Sequence, residues 1–99
     1  MKKVLQFRLV VKNSLSPNSF SDHLHFDKET NNETLPLQTE YYIDSAYGTV
    51  INHYYKESTD TLITVISYFM EIEKEHVPLI KTMMIKNNWV VSLDTAQKI

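Results

Sequence analysis

The chain has no cysteine, one glycine, three prolines and a single arginine among its 99 residues. Without cysteine there is no disulfide framework, no thiolate zinc or iron–sulfur ligation and no thiol nucleophile, which fits a reducing compartment. One glycine, Gly48, cannot build a Walker loop or a dinucleotide-binding turn, since both need several residues at special backbone angles or in close approach to phosphate. A Gly-x-Ser-x-Gly nucleophile elbow and a His-Glu-x-x-His zinc helix are missing as well. No uncharged apolar run approaches the ~18 residues of a membrane span. Met1-Lys2-Lys3 and the apolar residues after it resemble a signal peptide only briefly, because Gln6, Arg8 and Lys12 interrupt the run and no small-residue cleavage site follows. These features lead to the expectation of a soluble, cytoplasmic protein without a membrane partner.

The residues that are present describe one ordinary domain. A chain of 11.6 kDa buries roughly 65% of its unfolded surface, enough to fold without metal or disulfide support. We therefore expect residues 1–99 to form a single domain, with a long polar loop at about 13–38. Lysine outnumbers arginine nine to one, and Asn, Ile and Tyr are plentiful, a bias expected of an AT-rich bacterial or phage genome. Charge is unevenly spread: +4 over residues 1–12, −6 over 13–60 and zero over 61–99. A phosphate-tracking surface would carry a basic stripe, whereas the middle of this chain is acidic, so nucleic acid is disfavoured and a basic protein partner is expected.

Hydrophobic periodicity supplies the elements. Leu5, Phe7, Leu9 and Val11 alternate with Val4, Gln6, Arg8 and Val10, the pattern of a half-buried strand. Turn chemistry at Asn13-Ser14, Ser16–Ser19 and Thr30–Thr34, with Pro36, marks the long connection, within which His23–Phe26 has room for one short strand. Thr39–Ser45 and Thr49–Lys56 read as a hairpin turning through Ala46-Tyr47-Gly48; helical spacing of Ile43, Ala46, Val50 and Tyr54 is the competing reading. From Thr59 to Glu75, the polar positions Thr61, Thr64, Tyr68, Glu71 and Glu75 are spaced +3, +4, +3, +4. That spacing predicts an amphipathic helix capped by Ser58 or Thr59, with Leu62, Val65, Ile66, Phe69 and Ile72 in the core. Pro78 then breaks this helix or opens a second one, which Asn87-Asn88 ends. Trp89–Leu93 is a last strand, and Asp94–Ile99 a tail. The expected fold is α+β: a small, mostly antiparallel sheet of N-terminal strand, central hairpin and C-terminal strand, with one or two helices on one face.

Three clusters invite a chemical reading. On an extended strand His23, His25 and Asp27 project from one face, a set suited to zinc if His53 or His76 completes it. The alternative is a solvated strand edge with Leu24 and Phe26 inward, which we favour, so no metal or other cofactor is expected. His53, with Asp44, Tyr54 and Tyr55 nearby in sequence, would suit acid–base work if these groups converge; a merely hydrogen-bonded histidine is the plainer reading. Met70, Met83 and Met84 read as core filler rather than a recognition groove.

The most distinctive feature is the density of tyrosine: Tyr41, Tyr42, Tyr47, Tyr54 and Tyr55 share the expected hairpin with Glu40 and Asp44. Outward tyrosines are rigid, amphipathic contact groups of the kind enriched in binding hot spots. Cross-strand packing is the competing account, and base stacking would be opposed by the surrounding acids. The expectation is therefore a small non-enzymatic protein-binding module, of the inhibitor, immunity or adaptor type. It would occlude a partner with an acidic surface formed by Glu40, Tyr41, Tyr42, Asp44, Tyr47, Tyr54 and Tyr55. A small metal-dependent or acid–base enzyme and a nucleic-acid-binding protein are the alternatives, and homo-oligomerisation is left open.

Overall fold

The computed structural model describes residues 1–12 and 22–95. Six strands form one sheet: β1 (Lys2–Val11), β2 (Asp22–Glu29), β3 (Glu40–Ile43), β4 (Ala46–Lys56), β5 (Thr61–Tyr68) and β6 (Val90–Asp94). Their order is β3-β4-β5-β1-β2-β6, antiparallel throughout except for the β1–β5 pair, which is parallel. Among the described residues one helix, α1 (Val77–Lys86), lies on the sheet, and short 3-10 turns occupy Glu57–Thr59 and Lys74–His76. The architecture is thus α+β and mostly antiparallel, as the sequence predicts, but the sheet is larger and its helical part smaller.

The alternation in β1 decides which face is the core. Leu5, Phe7, Leu9 and Val11 are buried, and in register with them on the same face lie Leu24 and Phe26 of β2 and Ile66 of β5. Val77 and Met84 of α1 close over this inner face together with Trp89, which meets Phe7 edge-on at 6.0 Å and Tyr41 at 6.1 Å. Leu35, from the segment before β3, packs against the same cluster. The Lys81 ammonium and the Asp94 carboxylate, both largely buried, pair between α1 and β6. Removing one partner of so buried a pair would strand a charge, so the contact fixes helix to sheet more than it adds net stability.

Pro78 stands in the first turn of α1, where its missing N–H costs no intrahelical bond. The Asn pair ends the helix as expected: Asn88 adopts a left-handed φ of 70°, and the Trp89 amide returns to the Met84 carbonyl at 3.0 Å. That return is what drives the Trp89 ring into the core.

Three expectations need correction. The helix predicted from Thr59 to Glu75 is instead β5, an interior strand flanked by β1 and β4. Thr61, Ile63, Thr64, Val65 and Ile66 are all buried, so both faces of the strand are covered and no alternation survives in its sequence. The +3/+4 spacing of Thr61 and Thr64 reflects buried hydroxyls, one of which donates to the Thr59 carbonyl at 3.0 Å, rather than a solvated helix face. Phe69, placed in that helix core, is 49% exposed.

The long polar connection holds β2, a full eight-residue strand paired on both sides rather than a short local one. The turn signals at Asn13–Ser19 lie outside the described residues, as does the tail beyond Thr95.

The hairpin of β3 and β4 is present, but it turns through Asp44-Ser45, and Asp44 takes the left-handed φ of 47°. Aspartate tolerates that conformation better than most residues. Gly48 is a strand residue paired with Tyr41 and Tyr68. Its need is space: a Cβ there would fall 2.5 Å from the Ser67 carbonyl oxygen and 2.8 Å from Ile66 Cγ2.

Candidate protein-binding surface

Strand pairing divides the predicted site between the two faces of the sheet. Tyr42 pairs with Tyr47 and Glu40 with Thr49, which places all four on the outer face, the one α1 does not cover. Tyr42 stacks on Tyr47 with centroids 5.3 Å apart, and Tyr47 stacks on Phe69 at 4.4 Å with the rings within 6° of parallel. Phe69 in turn meets the Tyr68 ring edge-on at 4.7 Å. The result is a row of three rings spanning β3, β4 and the residue just past β5. Tyr42 is 64% exposed, and Tyr47 is half-buried between its neighbours. Each ring thus uses its faces on the others while keeping edges and tips in water, an arrangement that limits rotamer freedom before any partner arrives.

The carboxylate closest to this row is Glu40, which accepts a hydrogen bond from the Tyr42 hydroxyl at 2.6 Å. That bond, followed by the charge itself, pushes the Tyr42 phenol above its ordinary pKa. The tip of the stack is therefore a neutral phenol bonded to an anion.

The other predicted residues do different things. Tyr41 points to the inner face against Trp89, and burial raises its pKa. Asp44 accepts a 2.8 Å hydrogen bond from the Asn87 side-chain amide, tying the hairpin turn to the end of α1. Tyr54 is partly exposed and lies opposite Ile63, on the outer face but toward the far end of β4. Tyr55 belongs to the inner-face series, beyond the reach of the helix, and its hydroxyl donates to Asp60 at 2.5 Å. The structure thus joins Glu40, Tyr42 and Tyr47 and leaves Tyr41, Asp44, Tyr54 and Tyr55 apart from them. Phe69, absent from the sequence reading of the site, completes the stack. A strand period through Ile63, Val65 and Ser67 would have placed it on the outer face.

The alternative chemical clusters also separate. His53 bonds through Nε2 to the Leu35 carbonyl at 2.6 Å, fastening the segment before β3 across the inner face. His23 and His25 do share the outer face, with ring centroids 6.2 Å apart. Asp27, however, accepts hydrogen bonds from Gln6 at 3.1 Å and Ser92 at 3.0 Å. Among the described residues no three His, Asp or Glu side chains converge as a metal site would require. Met84 is buried in the core and Met83 half-buried beside it, whereas Met70 is 53% exposed. No helix of the described residues is long and apolar enough to cross a membrane.

No family model, curated protein or solved structure matches the chain.

Proposed function

We propose that this domain is a non-enzymatic protein-binding module, of the inhibitor, immunity or adaptor type and of bacterial or phage origin. It binds by laying the outer-face row Tyr42, Tyr47 and Phe69 against a basic partner. The observation that carries this reading is the stack itself: three large rings on the surface, held in order by one another. Exposed aromatics cost solvation, and rigid ones repay it at an interface because little side-chain entropy remains to be lost. The partner's chemistry follows from the groups at the exposed end. Tyr42 offers a ring face at the edge strand with the Glu40 carboxylate beside it, so a lysine or arginine side chain gains both a cation–π contact and an ion pair. Glu40 supplies charge for encounter, and the rings supply slow release.

The experiment is a comparative capture from a bacterial lysate. Parent protein, Tyr42→Ala and Phe69→Ala are immobilised in parallel, and the retained proteins are identified by mass spectrometry. A protein retained by the parent and lost by both variants is then purified and its affinity measured by surface plasmon resonance. Removing Tyr42 is expected to raise the dissociation rate, costing about 2 kcal/mol as a hot-spot residue would. Equal retention by all three places the interface elsewhere and reduces the stack to packing.

A further inference from the structure

Strand register places six residues in a straight row across the outer face, one from each strand: Glu40, Thr49, Ser67, Arg8, His25 and Leu93. Arg8 stands in the middle of the sheet, half-buried, and is the only arginine in the chain. Its Nε donates to Gln6 Oε1 at 2.7 Å, and among the described residues its terminal amino groups take no hydrogen bond and no ion pair. A guanidinium held this way keeps the donor fork that matches an oxyanion, without a carboxylate to fill it.

The surroundings fit the same ligand. Arg8, His23, His25 and Ser67 line an open depression of about 340 Å³, whose remaining walls include Val10, Ile51 and Leu93. The donors come from β1 and β2 and, on β5, from the Ser67 hydroxyl, whose present bond is a long one to the Tyr68 carbonyl at 3.4 Å. Three directions of approach suit a tetrahedral group with several acceptor oxygens better than a planar carboxylate. Asp27, the acidic group that faces His25, is turned toward Gln6 and Ser92 and does not occupy the guanidinium. Glu40 stands at the far edge of the row, three strand spacings from Arg8.

We propose that Arg8, His25, His23 and Ser67 form a binding site for a phosphate-type oxyanion, carried by a molecule whose apolar part rests on Val10, Ile51 and Leu93. This site goes beyond the protein-binding reading and does not depend on it, since it uses none of the stacked rings. The charged groups that act on the His25 imidazole are Arg8 on β1 and His23 and Asp27 on its own strand; β6 presents the apolar Leu93. Burial, then Arg8 and His23, hold His25 below its ordinary pKa, with Asp27 pulling the other way. An arriving anion favours the imidazolium, so the bound pKa lies above the free one. Affinity therefore rises as pH falls through the bound value and levels off below the free value.

The probe is sulfate, whose charge is constant across the range, titrated into the full chain and followed by the NMR signals of Arg8 Nε–H and the His25 ring. Saturable binding is expected, tighter at about pH 5.5 than at about pH 8 by several-fold, as titration of a histidine requires. Inorganic phosphate is expected to compete, and acetate to bind at least several-fold more weakly. Arg8→Gln should weaken sulfate about tenfold or more, the loss expected for charge-assisted hydrogen bonds. His25→Gln should flatten the pH dependence, and the exposed Lys74→Gln should leave binding unchanged. Should Arg8→Gln lose the parent's dispersed amide spectrum, His25→Gln at low pH carries the test alone, with several-fold weaker binding expected. Shifts that never saturate, parent-like binding by the folded variant, or acetate binding as well as sulfate would each overturn the site. Because protein alone is titrated, such a failure leaves the aromatic interface untouched, and loss of that interface leaves this result standing.

Discussion

Phe69 and Phe7 are the same residue type in opposite surroundings. Phe7 has no exposed surface and touches both Trp89 and Tyr68, whereas Phe69 keeps 49% of its surface in water and meets Tyr47 and Tyr68. Emptying the first site creates a cavity in the core; emptying the second removes one link of a surface stack. Phe7→Ala is expected to destabilise the domain by about 3–5 kcal/mol, and Phe69→Ala by about 0.5–1.5 kcal/mol, the worth of an aromatic pair. Equilibrium urea denaturation of both variants checks the contrast. A Phe69→Ala loss as large as that of Phe7→Ala would return Phe69 to the core and dissolve the proposed surface.

Tyr55 and Asp60 offer a test of a single hydrogen bond by pH. The Asp60 acceptor raises the Tyr55 phenol above its ordinary 10.0, and the same bond is the main cause holding the Asp60 carboxyl below its ordinary 3.8. The phenol's share of stability is present below pH 10 and is lost as pH rises through the raised value. The carboxylate's share is present above pH 3.8 and is lost as pH falls through the lowered one. Asp60→Asn suits the left-handed φ of 47° at this position and removes only the charge. Near-UV absorbance should then show one exposed tyrosine fewer among those that titrate late, a group that in the parent also includes Tyr42. An unchanged tyrosine titration would dismiss the bond.

At the scale of the element, β4 and β5 show how the protein spends its one glycine. The two strands approach so closely at Gly48 that a methyl group would meet the Ser67 carbonyl and the buried Ile66. The first contact is backbone and cannot swing aside, so strand or side chain must shift. Gly48→Ala is expected to cost about 1–3 kcal/mol as an overpacked site, despite the gain in β propensity and backbone entropy that alanine normally brings. Thermal unfolding measures it, and a neutral or stabilising effect would mean that the strands lie farther apart. The same substitution should disturb the stack next door, since Tyr47 is the adjacent residue.

The whole molecule segregates charge in a way no single strand reveals. Glu40 lies at the β3 edge beside the aromatic row, while Arg8, His23 and His25 cluster nearer the centre of the same face. The two proposed contacts thus rest on groups of opposite sign, Glu40 at the rim and Arg8 in the middle, in place of the one acidic surface that composition suggests. For a partner captured through the stack, Glu40→Gln is expected to lower the association rate and flatten its salt dependence, with little change in dissociation. Rates measured by surface plasmon resonance at two ionic strengths check this. An association rate indifferent to Glu40 would exclude steering from that edge.

Local pattern determined much of this protein. The alternation of Leu5, Phe7, Leu9 and Val11 reports a strand with one covered face; Pro78 and the Asn87-Asn88 pair mark a helix's start and stop; the hairpin's existence follows from its β-forming residues. Each of these signals arises within a few neighbouring residues, so a single sequence displays it. Tertiary structure decided the rest. An interior strand buried on both faces shows no period of two, so β5 imitated a helix until its neighbours β1 and β4 were in place. The turn's position required knowing that Gly48 answers a close approach from β5 rather than a backbone angle. Which tyrosines meet depended on register, because a slip of one residue exchanges the faces. Residues 8, 25, 42, 47, 67 and 69 share a surface only because distant segments pair side by side, and composition holds no record of that pairing.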